Sequence, residues 1–294
     1  MELLFLSKRV MQMSQTKGFL YVASLSKAYY QAMVYSIESL KDELPDAQVA
    51  VYTHTDWVQD KDRHLFDHLF TPCPVHCRAK LWALDKSPFD LTMYIDADSY
   101  VESPEIIEPL DMLEENPDVD VYMSENRPYN SKVVYFTEDD MEGPGIPARE
   151  MEHYIEADME LVRQGKGHKF RWHCGMFAWR KNERTQKLWA EWLRCYRKHH
   201  ETQNGYKPYP KSLTYWDTFA FWRALHENQD LGVNIKRLPN DAKYNFVTGY
   251  KTTELRPGTV KALNHYTIPP EWVKENLIDE TGIDLNIGNF NRLR

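Results

Sequence analysis

Cysteine is scarce in this chain: 294 residues hold four, Cys73, Cys77, Cys174 and Cys195. So few thiols in so long a chain make no disulfide framework and point to a reducing compartment. Cys73-Pro-Val-His-Cys77 has metal-like spacing, but no second pair with finger spacing follows it. It reads as a loop with half-buried thiols rather than a zinc site. Long apolar runs are missing too. Nothing approaches the roughly eighteen consecutive apolar residues of a membrane span. Leu3 to Leu6 is too short for a signal-peptide core and has no basic run before it. The expected location is therefore cytoplasmic, and the residues up to Lys17 read as a loose N-terminal arm. There is no internal repeat and no low-complexity segment. Disorder is excluded by composition, with 42% hydrophobic and 13% aromatic residues against 27% charged. The length suffices for a large core, as one big domain or two coupled halves.

Charge of one sign is missing by region rather than overall. The formal net charge is −8. Asp85 to Glu160 carries 22 acidic and 4 basic residues, whereas Arg163 to Lys211 carries 13 basic and 3 acidic. Such asymmetry can mark a site for an anionic partner, or simply two solvated surfaces.

The apolar pattern predicts alternating strands and helices. Phe19 to Ala23 reads as a strand. Tyr30, Met33, Val34, Ile37, Leu40 and Leu44 follow at helical spacing, until Pro45-Asp46 stops the helix. Gln48 to Thr53 is a second strand, expected parallel to the first. Ala79 to Leu84 reads as helical and is broken by Ser87-Pro88. Leu91 to Ile95, Val119 to Met123, Cys174 to Trp179 and Val233 to Leu238 read as strands. Arg184 to Lys198 reads as a helix with Leu188, Trp189, Trp192, Leu193 and Tyr196 on one face, and Trp216 to Leu225 as a shorter one. Thr137 to Arg149 reads as a Gly- and Pro-rich mobile loop. The tail after Pro270 has weak periodicity and no assignment. The fold class is α/β, with a mixed, mainly parallel central sheet covered by helices on both faces.

The chemistry concentrates in Leu91-Thr-Met-Tyr-Ile-Asp-Ala-Asp-Ser-Tyr-Val101. An apolar strand runs into Asp96 and Asp98. Side chains at i and i+2 of an extended segment point the same way, so both carboxylates are expected to face one point past the strand's C-terminal end. Open α/β sheets bind ligands at that edge. Two hard oxygen anions there suit a hard divalent cation with open positions for phosphate oxygens. The competing reading is a cap or turn pair of aspartates.

In these residues the chain resembles a GT-A-fold nucleotide-diphospho-sugar glycosyltransferase of the glycogenin-like and lipopolysaccharide galactosyltransferase-like branch. The resemblance runs from about Phe19 to Tyr266. Its most specific part is Arg78-Ala-Lys-Leu-Trp82, then Ser87-Pro-Phe-Asp90, then Tyr94-Ile-Asp-Ala-Asp98. Phe19 to Ser24 followed by Tyr29 resembles that family's first strand and nucleotide-base loop, and Ile37-Glu-Ser-Leu40 its first helix. Leu238 to Asn245 resembles its Leu-Pro…Tyr-Asn segment, and Asn264-His-Tyr266 its late histidine.

What the resemblance implies is a GT-A (Rossmann-like) fold in a single domain. About 18–135 would form the nucleotide-sugar half, and about 136–294 the acceptor half and tail. Ala23, Ser24, Tyr29, Arg78, Lys80, Asp96, Ala97, Asp98 and Gly175 would bind the donor. Asp96, Asp98 and His265 would hold a metal, with Mn²⁺ preferred over Mg²⁺ because imidazole suits it better. Asp217 would act on the donor sugar or the anomeric carbon, and Lys80 would meet the phosphates or sugar. Each has a plainer reading: a hydrogen-bonded histidine at 265, a surface cation at 80, and a helix-start carboxylate at 217.

One departure stands out. The family's Gly-x-x-Lys-Pro-Trp segment is replaced by Thr267-Ile-Pro-Pro-Glu-Trp272, so the usual leaving-group cation is missing. Lys261, Lys274 and Lys251 are candidate replacements. The implied activity is metal-dependent sugar transfer from a nucleotide diphosphate sugar, most readily a UDP-sugar, to an acceptor hydroxyl, with retention. The alternatives are the same chemistry on an anionic acceptor, such as a hydroxylated base in nucleic acid or an acidic glycan, a non-catalytic sugar-binding protein, or a metal-dependent phosphodiesterase.

Overall fold

The computed structural model describes residues 15–24, 27–76, 78–125, 172–202, 217–239, 241–246 and 257–265. In chain order these give β1 (Lys17–Val22), α1 (Lys27–Glu43), β2 (Val49–Tyr52), β3 (His68–Phe70), β4 (Leu91–Ile95) and β5 (Ser99–Val101). They continue with α2 (Glu108–Glu115), β6 (Val121–Glu125), β7 (Trp172–Arg180), α3 (Glu183–Thr202), α4 (Asp217–Glu227), β8 (Ile235–Arg237) and β9 (Leu263–His265). Seven strands form one sheet in the order β3-β2-β1-β4-β7-β6-β8. All adjacent pairs are parallel except those made by β7, which runs against both β4 and β6. The expected mixed, mainly parallel sheet is therefore present, with β1 and β2 parallel as predicted.

The strand sequences are apolar on both faces because both faces are covered. Phe19 and Tyr21 of β1 join Met33, Ile37 and Leu40 of α1 and Leu110 and Leu113 of α2 in one core layer. Leu20 of β1 and Tyr94 of β4 join Phe177, Trp179, Trp189, Trp192 and Phe221 of β7, α3 and α4 in the other. The period-2 alternation of β1 thus sends successive side chains to opposite layers.

Some expectations change. Ala79 to Leu84 is not α-helical. The helical character is kept as two short 3-10 turns, Ala79–Trp82 and Leu84–Lys86. The strand β3, the helix α2 and the two-stranded ribbon of β5 with β9 were not read from the pattern. Three-residue strands carry too little periodicity to register. The loop 137–149, Cys77, Trp216, Tyr266, Lys251, Lys274 and the tail after Pro270 lie outside the described residues.

Among the described residues, part of the segregated charge is used in ion pairs. Lys17 pairs with Asp111 and Glu114. Arg184 pairs with the buried Asp120, which also accepts from Asn182. Lys243 pairs with Glu105 and Glu108, and Lys261 with Glu102. Trp172, Trp179, Trp189 and Tyr196, in the basic block, are all buried. They pack the core rather than offer faces to a nucleic acid, because their helical and strand spacing turns them onto the sheet.

Candidate functional site

β1 and β4 are neighbours at the centre of the sheet, and the residues following their C-terminal ends gather the site. β4 ends at Ile95, and Asp96, Ala97 and Asp98 do not continue it. The Ser99 amide donates to the Asp96 carbonyl at 3.2 Å, closing a tight turn. The expected extended i, i+2 alternation is therefore corrected: a turn, not a strand, brings the two aspartates together. The chain turns because it must leave the main sheet to enter β5, which pairs with β9 instead.

Asp96 is held on several sides. Its amide donates to the Gly175 carbonyl at 2.8 Å. Its Oδ1 accepts from the Tyr94 hydroxyl at 2.6 Å and lies 3.4 Å from Lys80 Nζ. Tyr94 and Asp96 are two residues apart in the chain, the spacing at which strand side chains share a face; that signal identifies Tyr94 as a supporting residue beyond the expected set. Burial, then the adjacent Asp96 carboxylate, pushes the Tyr94 phenol well above its ordinary range. Gly175 is tight: a Cβ there would lie 2.5 Å from His173 Cε1 and 2.9 Å from Asp96 Oδ2. Glycine lets β7 pass this close to the carboxylate without displacing either side chain.

Asp98 carries the electrostatic tension. Burial, and next the Asp96 carboxylate, pushes its carboxyl up to about 7, while Lys80 and Arg78 act in the opposite direction. Two hard carboxylates that repel each other in a half-buried turn fit a divalent cation, whose charge would relieve that repulsion. Among the described residues no three His, Cys, Asp or Glu side chains converge as ligands. The backbone of His265 pairs with that of Ser99, the residue after Asp98. Strand pairing thus brings the expected third ligand's position beside the turn from across the chain.

Lys80 is not a surface cation. It is 5% exposed. Its ammonium donates to the Cys174 carbonyl at 2.6 Å and sits 2.5 Å from Asp217 Oδ2. Burial alone would lower its pKa, but the Asp217 and then the Asp96 carboxylates outweigh it and hold the ammonium above its ordinary value. Arg78 Nε lies 3.7 Å from Asp217 Oδ1. Asp217 opens α4 and is buried, its backbone carbonyl accepting from Trp192 Nε1 at 2.8 Å. The structure therefore joins Arg78, Lys80, Tyr94, Asp96 and Asp217 in one network.

The other expected donor-edge residues are placed as follows. Ala23 and Ala97 are buried in the α1-side core layer, with Tyr29 packed against it. The Ser24 hydroxyl donates to the Pro74 carbonyl and accepts from the His76 amide at 3.1 Å, tying the loop after β3 to the end of β1. Of the candidate leaving-group cations, Lys261 is paired with Glu102 at 2.6 Å and lies over the Phe246 ring. No helix among the described residues is long and apolar enough to cross a membrane.

No family model and no curated protein sequence matches the chain. Solved structures do resemble it. One is a galactosyltransferase, LgtC, in complex with donor and acceptor sugar analogs, at 12% identity and a TM-score of 0.45, covering 94% of each chain. Another is the glycosyltransferase GlyE of Streptococcus pneumoniae TIGR4, at 12% identity and a TM-score of 0.48, over 95% of this chain and 65% of that one. A third is the bifunctional glycosyltransferase WbbM, at 10% identity and a TM-score of 0.48, over 96% of this chain and 52% of that one.

Proposed function

We propose that this chain is a metal-dependent glycosyltransferase that moves a sugar from a nucleotide diphosphate sugar, most readily a UDP-sugar, to an acceptor hydroxyl with retention. The observation that carries the reading is the Asp96–Asp98 turn at the end of β4, with the Arg78, Lys80 and Asp217 network beside it. Asp96, Asp98 and His265 would hold Mn²⁺ or Mg²⁺, which when bound supplies positive charge to the diphosphate oxygens. Tyr94 and Lys80 fix Asp96 in orientation. Lys80 and Arg78 fix the Asp217 carboxylate, which would meet donor hydroxyls or the positive charge that develops at the anomeric carbon. Lys80 has its ammonium engaged by three protein groups, so within this reading it shapes Asp217 and Asp96 more than it grips phosphate. Gly175 keeps the floor open for the sugar. Ala23, Ser24 and Tyr29 lie where β1 ends and would border the nucleotide base. The halves about 18–135 and 136–294 would take the donor and the acceptor respectively, in a cytoplasmic protein.

The test is a panel of nucleotide sugars incubated with the protein and Mn²⁺, read as released nucleotide. The expected result is release from one donor class, dependent on metal and lost in Asp98→Asn. Absence of release and of nucleotide binding across the panel refutes the reading. Binding without release reassigns the chain as a sugar-binding protein, and release of a sugar phosphate reassigns it as a phosphodiesterase.

A further inference from the structure

β9 does not belong to the main sheet. It pairs with β5, through Ser99↔His265, Tyr100↔Asn264 and Val101↔Leu263, and Asn264 makes one further bridge to Phe246. A two-stranded ribbon this short is marginal alone, so other contacts must hold it. The backbone adds Glu102 to the Ala262 carbonyl and Ala262 to the Lys243 carbonyl, both at 3.0 Å. The side chains form a clasp with one sign on each half. Glu102, Glu105 and Glu108 lie just after β5, and their partners all come from the C-terminal segment. Lys243 Nζ pairs with Glu105 and lies 2.8 Å from Glu108 Oε2, which also accepts from the Tyr244 hydroxyl. Lys261 pairs with Glu102, and Asn264 Nδ2 donates to Glu102 Oε1 at 3.1 Å. Lys243 is 7% exposed and Tyr244 1%, so these partners are drawn into the protein rather than resting on it.

We infer that Glu108, acting through Lys243 and Tyr244, is a positioning residue: it locks the C-terminal segment against β5 and so sets where His265 stands beside the Asp96–Asp98 turn. The inference rests on the metal reading above. It also explains how a residue more than 160 positions after Asp98 is delivered to it without a strand of the main sheet.

The experiment uses the full chain with Lys243→Met, Lys243→Arg and Glu108→Gln. Three readouts are taken: amide exchange across Ala262 to His265, exchange in β1 and β4 as a check on the fold, and Mn²⁺ affinity from loss of the free-ion EPR signal. The methionine variant is expected to speed β9 exchange and to weaken Mn²⁺ binding, each by about tenfold, the low end of the scale for groups that orient a ligand, and the glutamine variant to do both by a smaller factor. β1 and β4 should stay protected, and the arginine variant should behave as wild type. Glu108→Gln is the gentler change, because Glu108 is 43% exposed and glutamine still accepts from Tyr244. Unchanged β9 exchange, or faster exchange with unchanged Mn²⁺ affinity, overturns the inference alone. Wild-type protein that binds no Mn²⁺ overturns the metal reading and this inference with it.

Discussion

The Lys80 ammonium and the Asp217 carboxylate meet at 2.5 Å, 6% and 9% exposed as side chains, at the start of α4. A buried pair of this kind adds little net stability, because desolvation offsets the attraction, but breaking it strands a charge. Lys80→Met takes from Asp217 its closest cation and leaves Arg78 at 3.7 Å. Asp217→Asn leaves Lys80 with Asp96 and the Cys174 carbonyl. Each single change is expected to cost about 3 kcal/mol, and the double change clearly less than their sum. Urea denaturation of the four proteins checks this, and strict additivity would show the pair is not coupled.

Gly175→Ala is expected to damage the site more than the fold. The added methyl has to displace His173 or push on Asp96 Oδ2. Overpacking of this kind costs about 1–3 kcal/mol. Because the displaced oxygen belongs to the proposed metal site, Mn²⁺-dependent nucleotide release should fall by an order of magnitude or more, beyond what the melting shift explains. Equal activity in wild type and variant would mean that β7 has room to retreat.

Much of this arrangement was legible in the residues. The βαβ opening, the apolar run into Asp96 and the buried face of α3 carry strong periodicity, and the structure returns them within a few residues. Three features were not legible. The turn at Asp96–Asp98 looks identical to an extended pair until one knows that β5 leaves the sheet. The burial of Lys80 depends on β7 and α4, which arrive from far along the chain. The pairing of Asp111, Glu102, Glu105 and Glu108 with Lys17, Lys261 and Lys243 also depends on long-range contacts, which counting charges by region does not show.

The thiol of Cys73 offers a pH test of the loop that Ser24 anchors. Burial pushes it up to about 11, with the Ser24 hydroxyl acting weakly against that shift. The thiolate is the reactive form, so native Cys73 should alkylate very slowly at neutral pH, with a rate rising about tenfold per pH unit until pH nears the thiol's own pKa. The sign for stability follows: a raised pKa favours the neutral thiol in the fold, so its contribution is present below the unfolded value near 8.5 and lost as pH rises through about 11. Peptide mass spectrometry of timed iodoacetamide reactions reads the rate. Prompt modification at pH 7 would place the thiol outside the core.

Salt response separates a sugar acceptor from a nucleic acid one. Neutralising several phosphates would make binding fall by orders of magnitude between about 50 and 200 mM salt. The aromatic residues that would stack on bases, Trp172, Trp179, Trp189 and Tyr196, are instead core, as is their neighbour Trp192, which is 0% exposed with its ring 4.5 Å from that of Phe221. The nearby Arg194 is bound to Glu191 and Glu227. Transfer to a carbohydrate acceptor should therefore change less than severalfold over that salt range, whereas Trp192→Ala should cost about 3–5 kcal/mol of stability from the cavity it opens. It should also loosen Asp217, whose carbonyl takes the indole N–H, so the two measurements together tell packing from recognition. A steep salt slope with little stability loss in Trp192→Ala would reverse that assignment and return the basic segment to a nucleic acid role.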